Sequence, residues 1–295
     1  MKIIKPSVEI LEQGPGIEGV YKQIEQAGRN CYQSSHLIGE GTAKPFVERM
    51  IRDGHTAMLE HGAVYLQMPY NKTAYNAFDK NPYSKVSAIE EANSMFISTN
   101  LRVIVENKLD DLLKYLVEPG PMHELRVTAR FVTQIAISRE YNRHRVNSVA
   151  EESTRYCNYS KDKYSNEIKV NLPSWIDNNL ASAVVDFLTL EEYADVICQQ
   201  NSEKMTALDW WSFANKACER AYMELTARGW LAQQARTILP LDTNTALVHT
   251  AFISDWQHFF DLRSRGTTGK PHPDAKVLAD ELLKQFIEKG YIRCD

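Results

Sequence analysis

Apolar residues follow two rhythms along this chain. In GIEGVYKQIEQAGRNCYQ (16–33) they return at Ile17, Tyr21, Ile24 and Ala27, the spacing of one helix face. AKPFVERMIRDG (43–54) repeats the pattern, with Gly54 as its stop. Elsewhere the period is nearer two. KIIKPSVEILEQ (2–13) reads as one opening strand, GAVYLQM (62–68) as a second, and LRVTARFVTQ (125–134) as a third that feeds the helix IAISREYNRHR (135–145). NEIKVNLP (166–173) and NTALVHTAFI (244–253) are further strands. KLDDLLKYLVEP (108–119) predicts a short amphipathic helix, and 173–239 is mostly helical, broken at Gly229 and stopped by Pro240. SDWQHFFDLRS (254–264) predicts a helix capped by Ser254, and HPDAKVLADELLKQFIEKG (272–290) a long closing helix. Between them RSRGTTGKP (263–271) reads as a flexible hinge. Residues 70–98 are polar and tyrosine-rich without a clear period, so they are expected to leave the compact core. Strands and helices mix without regular alternation. The expectation is an α+β fold, a mixed sheet with packed helices, in one domain over 1–295 with an extended insertion at about 70–125.

Composition narrows the class. With 43% apolar and 24% charged residues the chain is neither disordered nor fibrous. No apolar run is long enough for a bilayer, and MKIIKPSVEI lacks the apolar centre of a signal peptide. The five cysteines are scattered and form no CxxC, which indicates neither a disulfide framework nor a zinc ribbon. A cytoplasmic protein without membrane association is expected. The net charge of −4 disfavours general nucleic-acid binding. One window breaks that balance. Arg126, Arg130, Arg139, Arg143, Arg145 and Arg155 stand without a lysine among them, and only Glu140, Glu151 and Glu152 oppose them, leaving the stretch near +3. Arginine in place of lysine suggests paired donation to phosphates or carboxylates. A solvated, salt-bridged surface is the alternative.

Single motifs say less. GPGIEG (14–19) matches GxGxxG between a strand and a helix, but no second parallel strand with an acid follows, and Pro15 stiffens the turn. His55 and His61 in HTAMLEHG are six apart and share no helix face, so no metal pair is indicated; His61 is either a hydrogen-bonded core histidine or a ligand contact. Cys157 has no evident activating base, and a buried small residue is the plainer reading. Ser153 suits phosphate binding better than nucleophilic attack. Arg236 and Arg263, each among apolar neighbours, either snorkel or complete an anion-and-base pocket.

RHRVNSVAEES, an RHR followed by seven residues and Ser153, resembles the signature of the flavin-dependent thymidylate synthases. AGRNCYQS, HTAMLEHG, ESTRY, QQARTILP and FFDLRS are similar to the family's other blocks and stand in the same order, spanning nearly the whole chain. The resemblance implies the family's fold, a homotetramer with shared active sites, and reductive methylation of dUMP to dTMP. FAD would be the cofactor, with NADPH and methylenetetrahydrofolate as co-substrates and no nucleic acid as partner. All of these molecules carry phosphate or carboxylate groups. By position, Arg143, His144, Arg145 and Glu151 would hold the flavin. Glu140, Arg143, Glu151, Glu152, Ser153, Arg155, Arg236 and Arg263 would surround the nucleotide, and Arg263 would favour ionisation at the uracil N3. Four positions depart from the pattern. Glu140 stands where many members have glutamine and Ala150 where asparagine is common, while Phe252 and Ser254 fall where compact members offer asparagine and arginine to the flavin. The contacts of those two flavin donors are either lost or replaced by His258. The same chemistry on UMP, or on another pyrimidine nucleotide, is the alternative. An RNA-binding arginine stripe and a nucleotide-binding regulator without turnover are the rivals from other classes.

Overall fold

The computed structural model describes residues 1–176 and 188–293. Its strands are β1 (Lys2–Ile4), β2 (Ser7–Leu11), β3 (Ala63–Pro69), β4 (Lys85–Ile89), β5 (Ser94–Asn100), β6 (Arg126–Gln134), β7 (Ser148–Glu151), β8 (Lys169–Asn171) and β9 (Asn244–Phe252). Its helices are α1 (Gly16–Asn30), α2 (Ala43–Arg52), α3 (Lys72–Asp79), α4 (Leu101–Glu106), α5 (Ile135–Tyr141), α6 (Leu190–Cys198), α7 (Ala207–Ala227), α8 (Ala232–Ala235), α9 (Ile253–Phe260) and α10 (Pro273–Glu288). The mixed α+β character expected from the pattern holds.

The principal sheet runs β2-β6-β9-β7, every neighbour antiparallel. Its two faces follow from alternation along β6. Val127, Ala129 and Phe131 meet Trp256, Phe259 and Phe260 of α9 and Leu278, Leu282 and Phe286 of α10. On the opposite side Leu11, Ala150 and Val248 pack against Ala27 of α1. Trp256 is fully buried and its Nε1 donates to the Val127 carbonyl at 3.0 Å, so the apolar layer also satisfies its one polar atom.

Several expectations need correction. The single opening strand is two: Pro6 offers no N–H, and the chain changes partner there, β1 pairing parallel with β8 and β2 antiparallel with β6. Residues 70–98 do not leave the core. They supply α3, β4 and β5, and the sheet β3-β5-β4 closes a second core of Phe46, Val64, Leu66, Phe78, Met95, Ile97 and Ile104. The alternation was hidden because Ser98, Thr99 and Asn100 of β5 are buried too. At 108–119 only a 3₁₀ turn forms, over Asp110–Tyr115. The strand at 166–173 is confined to Lys169–Asn171. α9 starts at Ile253, one residue early. Ser254 is not its cap; its N–H and hydroxyl both donate to Glu124 Oε1, at 3.1 and 2.5 Å. The helical expectation across 173–239 is met by α6, α7 and α8, while 177–187 lies outside the described residues. Capping boxes from Thr189 to Glu192 and from Thr206 to Asp209 start α6 and α7.

Two features position the site. α5 stops at Tyr141, four residues before the predicted end, and the turns that follow lead into β7, a strand the pattern did not predict. After α9 the chain widens into a π turn over Asp261–Arg265, closed by Gly266 at φ +69°. The predicted hinge therefore starts inside helical structure. Such widened turns rotate side chains out of the regular helical register.

Candidate active site

Glu140 stands in the last turn of α5, His144 in the turns beyond, and Arg263 in the π turn that follows α9. The three meet. Arg263 donates from Nε to His144 Nε2 at 3.1 Å, from Nη1 to Glu140 Oε2 at 2.6 Å, and from Nη2 to the Glu140 main-chain carbonyl at 2.6 Å. The guanidinium is thus held on three sides, with its side chain 12% exposed. His144 is buried against Phe259, ring centroids 4.9 Å apart, with His258 at 5.9 Å. Burial, then the Arg263 charge and His258, push its pKa down to about 4, so the ring is neutral at pH 7. Its Nε2 accepts from Arg263, which leaves the proton on Nδ1. His144 turns inward and props Arg263, while His258 is exposed.

The neighbouring arginines face outward. Arg143, Arg145 and Arg155 are exposed, and among the described residues no carboxylate pairs with any of them. Arg155 lies 5.5 Å over the ring of Tyr156, which in turn approaches Tyr32. Arg236 is exposed and donates to Thr154 Oγ1 at 3.1 Å, which brings the ARTILP segment to the ESTRY segment. Glu151 links the parts: it accepts from Asn142 Nδ2 at 2.9 Å and from Thr245 Oγ1 at 3.3 Å. Ser153 donates its N–H to the Cys31 carbonyl at 2.9 Å, and its hydroxyl has no partner among the described residues. A row of unpaired cations beside a free hydroxyl is the donor set that phosphates require.

Glu152 is set apart from this group. Alternation turns it to the α1 side of the sheet, where it is buried and accepts from Gln33 and from the Tyr159 hydroxyl. Burial pushes its pKa up to about 7. It lines a separate cavity of about 330 Å³ with Asn30, Gln33, Arg130, Lys169 and Asn244. The expectation that it faces the same ligand as Glu151 is not supported by this placement.

The departures noted above now have places. Phe252 is buried with Arg126 5.0 Å and Lys85 5.6 Å over its ring, and Ser254 is engaged by Glu124. Neither presents a free donor. Ala150 is buried against α1. His272 caps α10, its Nδ1 accepting from the Asp274 N–H at 3.3 Å. His61 is a buried core histidine bonded to Thr250 Oγ1 at 2.9 Å. At the GPGIEG turn the Gly16 N–H donates to Glu118 Oε1 at 3.0 Å, and a Cβ on Gly19 would sit 1.8 Å from the Gly14 carbonyl oxygen. A carboxylate already occupies the start of α1, and the glycine is there for close backbone packing. Reasoning from the sequence missed Asn142, Thr245 and the Asn147–His249 contact at 3.2 Å. No short motif marks them; they are placed by the pairing of β7 with β9.

Cys157 is buried, and burial pushes its thiol up to about 11. A thiol held protonated is no nucleophile. Cys157→Ser is expected to change turnover by less than about twofold, because a hydroxyl can make the same bond to the Cys31 carbonyl. A folded, flavin-loaded variant with no turnover would reverse that assignment.

Residues 71–289 match the family model described as thymidylate synthase complementing protein. The flavin-dependent thymidylate synthase of Corynebacterium diphtheriae is 30% identical over 187 residues, 61% of this chain and 66% of that one. That of Thermosipho africanus is 24% identical over 157 residues, 52% of this chain and 62% of its own. The chain thus matches slightly less than two thirds of either relative's length. Among solved structures, a UMP/dUMP methylase PolB from Streptomyces cacaoi bound with 5-Br dUMP aligns over 98% of this chain and 93% of its own, at 14% identity and a TM-score of 0.44. No described helix is long and apolar enough to cross a membrane. With RHR, Ser153 and Arg263 standing as described inside the matched region, the chain belongs to the thymidylate synthase complementing protein family, the flavin-dependent thymidylate synthases.

Proposed function

We propose that this chain methylates dUMP to dTMP, with methylenetetrahydrofolate as carbon donor and NADPH as source of reducing equivalents. The observation that carries the reading is the three-sided clamp on Arg263 at the foot of a loop bearing unpaired arginines. FAD, when bound and reduced, would supply the hydride. The residues present suit such a group: Arg143 and Arg145 are free cations for its phosphates, and neutral His144 adds no competing charge. Ser153, Arg155 and Arg236 would take the nucleotide phosphate through charge-assisted hydrogen bonds. Arg263 would face the pyrimidine and stabilise negative charge as it develops there. A donor fixed beforehand loses little freedom at that moment, and this is why such groups are effective.

The arginines project from an open face, and none of Arg143, Arg145, Arg155 or Arg263 lines the cavity at Glu152 or the cleft between Gln13 and Glu118. A second subunit would close that face, in keeping with a homotetramer whose sites are shared. The test is an anaerobic reaction of the protein with FAD, NADPH, methylenetetrahydrofolate and dUMP, read by mass spectrometry of the nucleotide. The expected product is heavier by one methylene. Methylation of UMP with dUMP left untouched would move the substrate to the ribonucleotide, and flavin oxidation with neither product would remove the methylase reading.

A further inference from the structure

Glu152 takes no part in the site at Arg263, and it lines a cavity of its own. The residue is 6% exposed, and its Oε1 accepts from both Gln33 Nε2 and the Tyr159 hydroxyl, the latter at 3.2 Å. Its Oε2 has no partner among the described residues and is not fully buried, so it opens on the cavity of about 330 Å³ that Glu152 lines. Two cations line the same space. Arg130 of β6 gives Nε to Asn30 Oδ1 and Nη1 to Glu9 Oε1, each at 3.2 Å, which leaves Nη2 without a partner among the described residues. Half-buried Lys169 of β8 has neither an ion pair nor a hydrogen bond from its ammonium among those residues. Asn244 of β9 adds a buried Oδ1 that no described residue satisfies. Ile4 and Val132 give the cavity an apolar wall.

We infer that this cavity is a second ligand site, which takes the phosphate group of a small organic phosphate on Lys169, Arg130 and a protonated Glu152. Lys169 and Arg130 Nη2 supply charge-assisted donors to the phosphate oxygens. Asn244 and the apolar wall meet the group that carries the phosphate. The inference goes beyond the methylase reading and does not depend on it. The proton on Glu152 is what makes a carboxyl acceptable beside an anion. Burial pushes its pKa up to about 7, although Lys169 and Arg130 draw it down. Because Oε1 already accepts two hydrogen bonds, the proton belongs on Oε2, where it faces the cavity as a third donor. An ionised Glu152 would compete for Lys169 and repel the phosphate. Affinity is therefore full below about pH 7 and falls by about tenfold for each pH unit above it.

The other groups around Glu152 do not reproduce this profile. Burial pushes the thiols of Cys31 and Cys157 up to about 11 and raises the hydroxyls of Tyr159 and Tyr164, so all four stay neutral. Glu9 of β2 is taken by Arg130, and Glu151 is engaged by Asn142 and Thr245. His36 lines the cavity but is exposed.

The experiment titrates the full chain with sodium sulfate, a tetrahedral anion whose charge is constant across neutrality, and reads binding by calorimetry against pH. The wild type is expected to lose about tenfold in affinity per pH unit above about 7. Glu152→Gln keeps an oxygen for Gln33 and Tyr159 and turns an N–H toward the cavity, so its affinity is expected to stay level through that range. Lys169→Ala is expected to weaken binding at least about tenfold below pH 7. His36→Gln should keep the wild-type profile, as should Arg155→Ala, which removes sulfate held at the arginine face. Ribose 5-phosphate is expected to displace the sulfate at a concentration at least about tenfold below that of inorganic phosphate. A wild-type affinity that is level with pH overturns the inference, as does binding untouched by Lys169→Ala. Equal displacement by the two phosphates overturns the assignment to an organic phosphate.

Discussion

Replacing Arg263 by alanine is expected to abolish methylation, lowering kcat by at least about a thousandfold, and to leave the flavin bound. The size follows from what the side chain does: one half-buried cation, held in register by three hydrogen bonds, would meet charge that exists only as the reaction proceeds. Removing such a donor costs roughly a hundred- to a thousandfold in rate, and here the deletion also leaves Glu140 and neutral His144 without the group they hold. Lysine would not restore it, because an ammonium cannot engage Nε-, Nη1- and Nη2-type partners in one plane. The flavin should remain, since the exposed Arg143 and Arg145 owe nothing to Arg263 for their position. The check is steady-state turnover beside the flavin-to-protein absorbance ratio. Turnover within tenfold of the wild type would remove Arg263 from the chemistry; loss of flavin would move it into cofactor binding.

Acid is expected to destabilise the fold steeply below neutrality. Burial lowers the pKa values of His61 and His249 to about 3 and contributes most to lowering that of His144 to about 4, against an ordinary value near 6.5. As the pH falls below 6.5 the unfolded chain takes up three protons that the folded chain does not. The stability these residues contribute is complete above pH 6.5 and is lost progressively toward pH 3–4. Glu152 acts in the opposite sense. Its folded value near 7 means that the folded chain keeps a proton the unfolded chain would release, which adds stability as the pH falls from 7 toward the ordinary 4.5. Three histidines against one carboxyl leave a net loss of roughly 2–3 kcal/mol per pH unit between pH 6 and 5. That is a large share of the 5–15 kcal/mol typical of a domain. Urea unfolding at a series of pH values would show it as a midpoint that falls from pH 7 to 5. A flat midpoint across that window would mean that the three rings are reached by water.

Some of this was legible in the sequence, for identifiable reasons. β6 and β9 read correctly because each is nine residues long and rich in apolar residues, with Val127, Ala129 and Phe131 in alternation along β6. α1, α2 and α10 carry a sustained helical spacing with recognisable stops. Of the small sheet β3 was legible, but β4 and β5 were missed because β5 buries Ser98, Thr99 and Asn100 along with Met95 and Ile97, so polarity no longer marks the exposed face. β7 is four residues long, too short for any period to register. In the site, the lysine-free window marked Arg143 and Arg145 as anion binders and the apolar setting of Arg263 left a pocket role open, while the resemblance supplied the role of each and added His144. Glu140 and Arg263 are 123 residues apart, and nothing in either segment announces their bond. Nor could composition separate Glu151 from Glu152. Adjacent in the chain, they end on opposite sides of a sheet, one at the arginine face and one buried near Gln33.

The central ladder joins Arg126–Gln134 to Asn244–Phe252, with nine residue pairs in register. Over a hundred residues of chain intervene, among them α6 and α7. On a ribosome, therefore, β6 and its apolar face wait for a partner that is synthesised much later, and Arg263 comes later still. The first half of the chain can collapse around the small sheet, but the principal sheet and the site it supports close only after Asn244–Phe252 and Arg263 have been made. Non-local closure of this kind slows folding and leaves a sheet edge exposed in the meantime. Low temperature or a chaperone, by protecting that interval, is expected to raise the yield of folded protein.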